Sequence, residues 1–220
     1  MGEITYFAEN DGIDVLCIQE HCIFHEEINI RHHKMGIGWM LLTPSAEKGS
    51  NNATIRDVGI LLSPKSYQAL NKIESINART IIASFNGNPP TTVICCYSPT
   101  NTSDEDDVKK FYYDLTELVK AIPKHNLITI GGDFNAKIGY AESNNRSFHL
   151  DTYLNDQHHL DFTTELDLVN WNVQYTKRKG NLWTFTYPNG VKAQLDNILV
   201  NKKWRKLFLL IGKHTTHLPL

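Results

Sequence analysis

The chain has few cysteines, no excess of basic charge and no apolar run long enough to cross a bilayer. Its 220 residues carry 22 basic and 24 acidic side chains, a net charge of −2. This balance excludes a uniformly positive surface, so a polyanion could be met only by a local patch. No amino-terminal signal peptide is visible either, which disfavours secretion and membrane insertion. We expect a monomer in the nucleus or cytoplasm, not a secreted protein.

The four cysteines fall within or beside apolar runs, as is usual for reduced thiols inside cells: Cys17, Cys22, Cys95 and Cys96. Cys95 and Cys96 are adjacent, so in a strand they point to opposite faces. Cys17 and Cys22 lie near four histidines that could add soft metal ligands: His21, His25, His32 and His33. Their spacing fits no regular zinc pattern, and the residues do not favour a zinc site.

Short apolar runs of β type dominate the chain and are separated by turn-rich loops. They cover residues 13–19, 37–42, 58–62, 79–85, 91–97, 127–131, 182–187 and 194–200. Residues 43–56 and 139–155 are polar and rich in turn formers, which predicts surface loops. With 41% apolar residues and no internal repeat or linker, the chain is expected to form one domain over 1–220. Many strands and few helices predict an α/β fold of two stacked sheets with outer helices.

Two helices are predicted between the strands. The first spans about residues 103–122: Ser103 can cap it, acids 104–106 lie in its first turn, and Pro123 follows its end. Its apolar residues keep helical spacing, so the acidic run indicates a helix start and not a metal site. The second covers residues 157–169 with a less regular pattern, and a loop is the alternative there. The opening residues read as the end of a helix that precedes the first strand.

Residues 126–139 form the most informative segment, because an apolar strand runs through Gly131 and Gly132 into an Asp and an Asn. Residues two apart in an extended chain face the same side. Asp133 and Asn135 should therefore project together, while Phe134 turns into the core. The alternative is a polar turn that only closes the strand, since Asp, Asn and Gly are ordinary turn residues.

Other apolar strands also end in, or contain, polar groups. Residues 13–19 lead to Glu20, whose carboxylate could bind a divalent cation such as magnesium, although a strand-end Glu is often merely solvated. Residues 91–97 end at Tyr97, with Asn101 shortly after. Asp196 lies among apolar neighbours and, as a charge in such a strand, needs a partner.

These segments together resemble the exonuclease–endonuclease–phosphatase superfamily, which has the DNase I-like four-layer αββα fold. Within it they are most similar to the apurinic-type endonuclease domain of non-LTR retrotransposons. The likeness spans nearly the whole chain and rests on five segments: IDVLCIQE, CCYSPTN, IGGDFNAKIG, LWTFTYPNG and QLDNILVNKKW. It implies a metal-dependent DNA-nicking endonuclease that contacts the DNA phosphate backbone and uses Mg²⁺, with Mn²⁺ as an alternative.

The resemblance also implies roles for individual residues. Glu20 would bind the metal, Asp133 and Asn135 would align and activate the attacking water, and Tyr97 would contact the scissile phosphate. Asp196 would match the acid that precedes the terminal catalytic His and orients the active centre. A weaker match is Asn155, as a phosphate-binding Asn. Trp183 is expected to pack in the core, with stacking on a base as the alternative.

Two parts of the family pattern are missing. Family members open with a strand that bears an active-site Asn, and residues 1–10 contain no such segment. The family also places Ser-Asp-His near its end, where this chain has Thr215, Thr216 and His217. His217 is either the catalytic His or an unrelated residue of an altered tail. We therefore expect a domain incomplete at both ends with impaired activity, arising from a decayed copy or from a shortened gene model.

Two other functions fit the same residues. One is a phosphatase of the same superfamily, acting on lipid or inositol head groups. The other is a catalytically inactive remnant that binds nucleic acid through basic loops, for which residues 177–179 and 202–206 are candidates. Such basic runs are more often only solvated faces.

Overall fold

The structure, a computed structural model, describes residues 2–25, 30–48, 54–55, 57–136, 139–140, 147–148, 154–173, 184–187 and 190–205. The predictions for residues 177–179, Trp183, Lys206 and the tail with Thr215, Thr216 and His217 lie outside these residues. The chain divides into two compact units, the first containing Met1–Tyr97 and Lys206–Leu220 and the second Ser98–Arg205. The expectation of one domain over 1–220 stays a prediction.

The described part of the first unit contains two helices and nine strands. In chain order they are α1 (Gly2–Asn10), β1 (Val15–Gln19), β2 (Arg31–Met35), β3 (Trp39–Thr43), β4 (Glu47–Lys48), β5 (Thr54–Ile55), β6 (Val58–Leu62), α2 (Pro64–Ala69), β7 (Leu70–Asn77), β8 (Thr80–Phe85) and β9 (Thr91–Tyr97).

The second unit continues with α3 (Glu105–Ala121), β10 (Leu127–Asp133), β11 (Gly139–Tyr140), β12 (Ser147–Phe148), α4 (Leu154–Glu165), β13 (Leu168–Asn170), β14 (Phe185–Thr186), β15 (Lys192–Ala193) and β16 (Asp196–Asn201). Two short 3-10 helices lie at Trp171–Val173 and Lys202–Trp204. Among the described helices, none is both long and apolar enough to cross a membrane.

Two sheets and one helix form layers in the first unit. One sheet has the strand order β1-β6-β3-β2, and β7, β8 and β9 pair in sequence, all antiparallel. Residues of β3 and β6 pack against residues of β8 and β9 in one buried core, with Leu42, Ile60 and Ile81 fully buried. A second core lies under α1, where Ala8 meets Leu61. Strand β6 is buried on both faces because its run VGILL has no polar residue.

The second unit combines an antiparallel group of strands, β13-β16-β10, with the two longest helices. Helix α4 contacts α3 and β13. The buried residues of α3 repeat at helical spacing and include Val108, Phe111, Leu115 and Val119. This apolar stripe confirms the predicted helix, whose first turn holds the acids of the run.

The long apolar runs that were predicted as strands are strands, with small shifts at their ends. Of the run 182–187, the described residues form only the short strand β14. The predicted runs do not include helix α2 or the two longer strands β2 and β7. Both strands are mostly polar and lie at the edges of the strand groups, where burial does not impose an alternating pattern. The loops at 43–56 and 139–155 contain the short strand pairs β4–β5 and β11–β12.

The predicted helix ends need two corrections. The residue at the N-cap of α3 is Asp104, not Ser103, and its side chain makes no capping hydrogen bond. Helix α4 runs over Leu154–Glu165 instead of 157–169, because Asp167 has a positive φ of 50° and ends the helical path. Val169, which was predicted as part of the helical stripe, belongs to strand β13 (Leu168–Asn170).

Candidate active site

In the first unit the structure brings together Glu20 and Tyr97, two of the predicted site residues. Glu20 follows strand β1 and is exposed, while Tyr97 ends strand β9. The Tyr97 hydroxyl donates a hydrogen bond to Glu20 Oε1 at 2.7 Å. Next to this pair, the guanidinium carbon of Arg79 lies 5.5 Å from the centre of the Tyr97 ring, and Arg79 Nη1 donates to the Tyr97 carbonyl at 3.1 Å. The neighbourhood thus combines a carboxylate, a phenol and a fixed positive charge.

Asp57, which was not among the predicted site residues, holds the loop that carries Glu20 through hydrogen bonds. Glu20 and Cys22 both have positive φ angles, 54° and 57°, which side-chain-bearing residues adopt rarely. The Glu20 N–H donates to the Asp57 carbonyl at 3.0 Å, and the Cys22 N–H donates to the Asp57 carboxylate. Asp57 is almost fully buried. One residue therefore fixes the backbone on both sides of His21.

His21 completes this support as a neutral imidazole. Its Nε2 lies 3.0 Å from the Val58 carbonyl and so donates to it, and its Nδ1 accepts the Ile23 N–H at 3.0 Å. Burial lowers the pKa of His21 below its usual 6.5, and the Asp57 carboxylate, 3.2 Å from Nδ1, opposes the shift. The lowered pKa and the hydrogen bonds agree on the uncharged form.

In the second unit Asp133, Asn135 and Asp196 lie together, as the sequence predicted for the first two. Asp133 ends β10, and its Oδ1 accepts the Asn135 N–H at 2.8 Å. This bond closes an Asx-turn, so the segment is a polar turn at the end of the strand. Whether it also serves as a reaction site stays a prediction. Asn135 has a φ of 47°, and Phe134 between them is fully buried, as predicted.

Asp196 faces Asp133 directly. The two are Cα partners in the antiparallel pair of β10 and β16, and side chains opposite each other in such a pair share one face of the sheet. Two residues fix the backbone at Asp196. Asn172 Nδ2 donates to the Asp196 carbonyl at 2.8 Å, and the Asp196 N–H donates to Thr184 Oγ1 at 3.2 Å. Like charges in this position destabilise a strand pair unless positive charge lies close by.

The side-chain amide of Asn135 has a defined orientation. Its Nδ2 donates to the Ser98 carbonyl at 3.0 Å. The Asn135 Oδ1 therefore points away from Ser98 and, among the residues that the structure describes, accepts no hydrogen bond. This amide oxygen and the carboxylates of Asp133 and Asp196 are hard oxygen donors, the type that Mg²⁺ prefers. The residues present in this cluster fit a hydrated divalent cation.

The prediction that Asn155 contacts phosphate does not agree with its position. Asn155 is fully buried in the first turn of α4, and its amide oxygen and nitrogen are both engaged by protein groups. A phosphate could reach it only by replacing those partners, so its role is structural.

Two other features lie away from these clusters. A cleft of about 430 Å³ lies between α3 and α4, and within its lining Lys120 is paired with Glu117 and Glu165. Of the second predicted basic patch, Lys202 is paired with Asp167 at 2.9 Å, and Lys203 lies over the Trp204 ring. Among the described residues, no three His, Cys, Asp or Glu side chains form a group suited to a metal, the region of Cys17 and His25 included.

Comparison with known proteins gives relatives of low identity. The chain is 28% identical over 162 residues to craniofacial development protein 2 of Bos taurus, which covers 71% of this chain and 27% of that protein. The same protein of Tragulus javanicus gives 28% identity over 71% of this chain and 28% of its own length. The chain thus spans about a quarter of the length of the curated relatives it matches. No protein-family model matches the chain.

Solved structures resemble the chain over nearly its full length. The endonuclease domain of TRAS1, a telomere-specific non-LTR retrotransposon, has a TM-score of 0.59 at 13% identity and covers 93% of this chain and 80% of that one. An endonuclease/exonuclease/phosphatase family protein from Leptotrichia buccalis C-1013-b has a TM-score of 0.59 at 14% identity over 90% and 79%. The fold is DNase I-like. A humanized D. rerio TDP2 matches with a TM-score of 0.55 at 10% identity over 91% and 76%.

The DNase I-like fold confirms the predicted α/β class with two major sheets and helices. At these identities the likeness concerns the fold alone, and the reaction has to be inferred from the side chains. Asp57, Asn172 and Thr184 could not be found from the sequence, because each acts through a hydrogen bond to a residue distant in the chain. A lone Asp, Asn or Thr near a strand end has no distinguishing pattern.

Proposed function

We propose that this chain catalyses metal-dependent phosphodiester hydrolysis and nicks DNA in the manner of retrotransposon endonucleases. The observation that carries the proposal is the pair Asp133 and Asp196, two carboxylates opposite each other beside the oriented amide of Asn135. Carboxylate and amide oxygens of this kind can hold and polarise a water molecule and suit a site that works with a hydrated cation. The likeness of the fold to an endonuclease domain supports the same reaction class.

Asp133 and Asn135 are assigned to the attacking water. Because Asn135 Nδ2 is bonded to Ser98, its Oδ1 is the atom that can accept a hydrogen bond from that water. The Asp133 carboxylate can take the one proton that the water loses as it attacks, and its bond to the Asn135 N–H keeps the two groups in register. Asp196 is assigned to orienting the centre from the opposite strand.

Glu20 and Tyr97 are assigned to the metal and the phosphate. Glu20 would hold the divalent cation, Mg²⁺ or Mn²⁺, which when bound neutralises charge on the non-bridging oxygens. The Tyr97 O–H already donates to Glu20 and is able to donate to a phosphate oxygen, with the Arg79 charge nearby. His217 stays a candidate for proton transfer, and Thr216 before it supplies no charge to orient it, so we expect slow turnover.

The test is nicking of supercoiled plasmid in Mg²⁺ by the wild-type protein and by Asp133→Ala. We expect the variant to nick at least about a hundredfold more slowly, since loss of one member of a catalytic unit commonly costs orders of magnitude in rate. Asp161→Asn is a matched control, because Asp161 is exposed on α4 and bonded only to Gln157. It should nick at the wild-type rate.

Each other outcome has a defined meaning. Equal nicking by wild type and Asp133→Ala would reject the assigned site. Release of phosphate from inositol phosphates without nicking would favour the phosphatase alternative. DNA binding with a steep salt dependence and no cleavage would favour the inactive remnant.

A further inference from the structure

Helix α4 presents a fully buried asparagine to the segment that precedes α3. Asn155 Oδ1 accepts the Ser98 hydroxyl at 3.1 Å, and its Nδ2 donates to the Pro99 carbonyl at 2.8 Å and to Asn101 Oδ1 at 3.0 Å. One side chain therefore satisfies three groups of residues 98–101, of which the Ser98 hydroxyl and the Pro99 carbonyl belong to buried residues and the Asn101 amide to a half-buried one.

Only an amide suits this position. Ser98 brings a donor, whereas Pro99 and Asn101 bring acceptors, so the residue between them must accept once and donate twice. Aspartate would bring no donor for the Pro99 carbonyl or for Asn101 Oδ1. Leucine would remove all three bonds and leave the Pro99 carbonyl with only the Ser98 hydroxyl, which lies 3.2 Å away. The three contacts explain why the chain has an asparagine in a first helical turn that faces the interior.

Residues 98–101 also contact Asp133 and Asn135, the two residues proposed to orient the water. The Ser98 N–H donates to the Asp133 carbonyl at 2.9 Å, and the Ser98 carbonyl accepts Asn135 Nδ2 at 3.0 Å. Asn101 Nδ2 donates to the Asn135 carbonyl at 3.2 Å. The backbone of Asp133 and Asn135 and the amide plane of Asn135 thus depend on the segment that Asn155 fixes.

A second residue of α4 contacts the same turn from its apolar side. The ring of His159, one helical turn after Asn155, meets the ring of Phe134 edge to face with their centres 4.9 Å apart. Phe134 lies between Asp133 and Asn135. The first part of α4 therefore touches the turn both through hydrogen bonds and through packing.

We propose that Asn155 is a positioning residue for the reaction, which fixes the Asn135 amide and the Asp133 backbone through Ser98 and Asn101. The expected effect on rate rests on the proposed function. The link between Asn155 and the turn at residues 133–135 can be measured whether or not the protein nicks DNA. Asn155 does not touch the substrate. Its loss should slow the reaction without weakening substrate binding.

The first experiment measures plasmid nicking by Asn155→Ala and by the milder Ser98→Ala, which removes the Ser98 hydroxyl and keeps the other two bonds. A misplacement of about 1 Å in a reacting geometry can cost about a hundredfold in rate. We expect kcat to fall about 10- to 100-fold for Asn155→Ala, less for Ser98→Ala, and KM to stay within about twofold. An unchanged kcat in both variants would overturn the proposal.

Asn201→Ala is the matched control. Asn201 also accepts with Oδ1, from the Ile128 N–H at 3.1 Å, and donates with Nδ2, to the Asn126 carbonyl at 3.0 Å. It lies at the opposite end of strand β10 and contacts neither residues 98–101 nor residues 133–135. We expect kcat and KM of Asn201→Ala to stay at wild-type values. An equal fall in kcat for both asparagine variants would indicate a general loss of stability and would overturn the positioning role.

Amide hydrogen exchange of the three variants separates the positioning link from the activity. In Asn155→Ala, and more weakly in Ser98→Ala, the Ser98 and Asn135 amides should exchange about tenfold faster while the Ile128 amide is unchanged. In Asn201→Ala the pattern should reverse. Unchanged exchange at Asn135 would overturn the inference. Faster exchange in a protein whose wild type does not nick would uphold the link and reject only the proposed function.

Discussion

Single buried polar residues decide the geometry of both candidate clusters. Asp57 fixes the loop around Glu20, and Asn155 fixes the segment around Asn135. Each has its polar atoms engaged by backbone or side-chain groups that would otherwise be buried without partners, which is the costly situation in a protein interior. At this scale the energetics are those of satisfied hydrogen bonds rather than of apolar burial.

His21 leads to a prediction about stability and pH. The pKa of His21 is lowered by burial, and that of His33 is lowered by burial and by neighbouring histidines and Arg31. The unfolded chain therefore binds these protons more tightly than the folded one. The free energy of unfolding should be highest above the ordinary histidine pKa of 6.5 and should fall as the pH drops below it, by up to about 1.4 kcal/mol per pH unit for each proton.

The measurement is urea denaturation between about pH 5 and 8 for wild type and His21→Gln. Because glutamine does not titrate, the variant should lose less stability toward low pH than the wild type, while the contribution of His33 remains. Identical slopes for the two proteins would contradict the role of His21.

At the scale of elements, apolar runs predicted most of the strands, whereas polar edges and helix ends were missed. Runs such as VGILL at 58–62 have one stable arrangement, a buried strand. Strand β7, with its exposed Lys72 and Glu74, has no such constraint and pairs because β8 offers it an edge. Which residue caps a helix likewise depends on the local backbone geometry, and this geometry cannot be read from the residue types alone.

The caps give a matched pair of substitutions. Ser63 is the N-cap of α2, where its hydroxyl accepts the Ser66 N–H at 3.2 Å and donates to Asp14 at 2.8 Å. Ser103, which looked like a cap, lies before the N-cap of α3. Thermal unfolding should show a loss of about 1 kcal/mol for Ser63→Ala and less than about 0.5 kcal/mol for Ser103→Ala. A larger loss for Ser103→Ala would restore it as the cap.

For the molecule as a whole, stability comes from apolar residues at contacts between layers, and charge contributes little. The described ion pairs outside the His21 loop, such as Lys72 with Glu74, are exposed to solvent. They therefore contribute little to stability. Leu61, in contrast, is fully buried in the core under α1 with Leu41 and Ala8.

Truncation of this core residue provides the prediction at this scale. Leu61→Ala should lower the free energy of unfolding by about 2–5 kcal/mol, because it removes apolar contacts and leaves a cavity. Ile37, which is 96% exposed, is the control. Ile37→Ala should change the free energy of unfolding by less than about 0.5 kcal/mol. Denaturant titration measures both. Similar losses would mean that Leu61 is not a core residue.

The α/β class, the positions of the buried strands and the expectation that Asp133 and Asn135 lie close together could all be read from the sequence. These properties are local, since they follow from the period of apolar residues, the length of each run and the short separation of the two polar residues. The fold was needed to show that Asp133 faces Asp196, that Tyr97 bonds to Glu20 from 77 positions away and that Asn155 is buried with its amide bonded to protein groups. It also shows that an Asx-turn, and not an extended strand, holds Asn135 next to Asp133. A hydrogen-bond partner distant in the chain leaves no periodic trace in either segment, and strand register and helix packing bring such partners together.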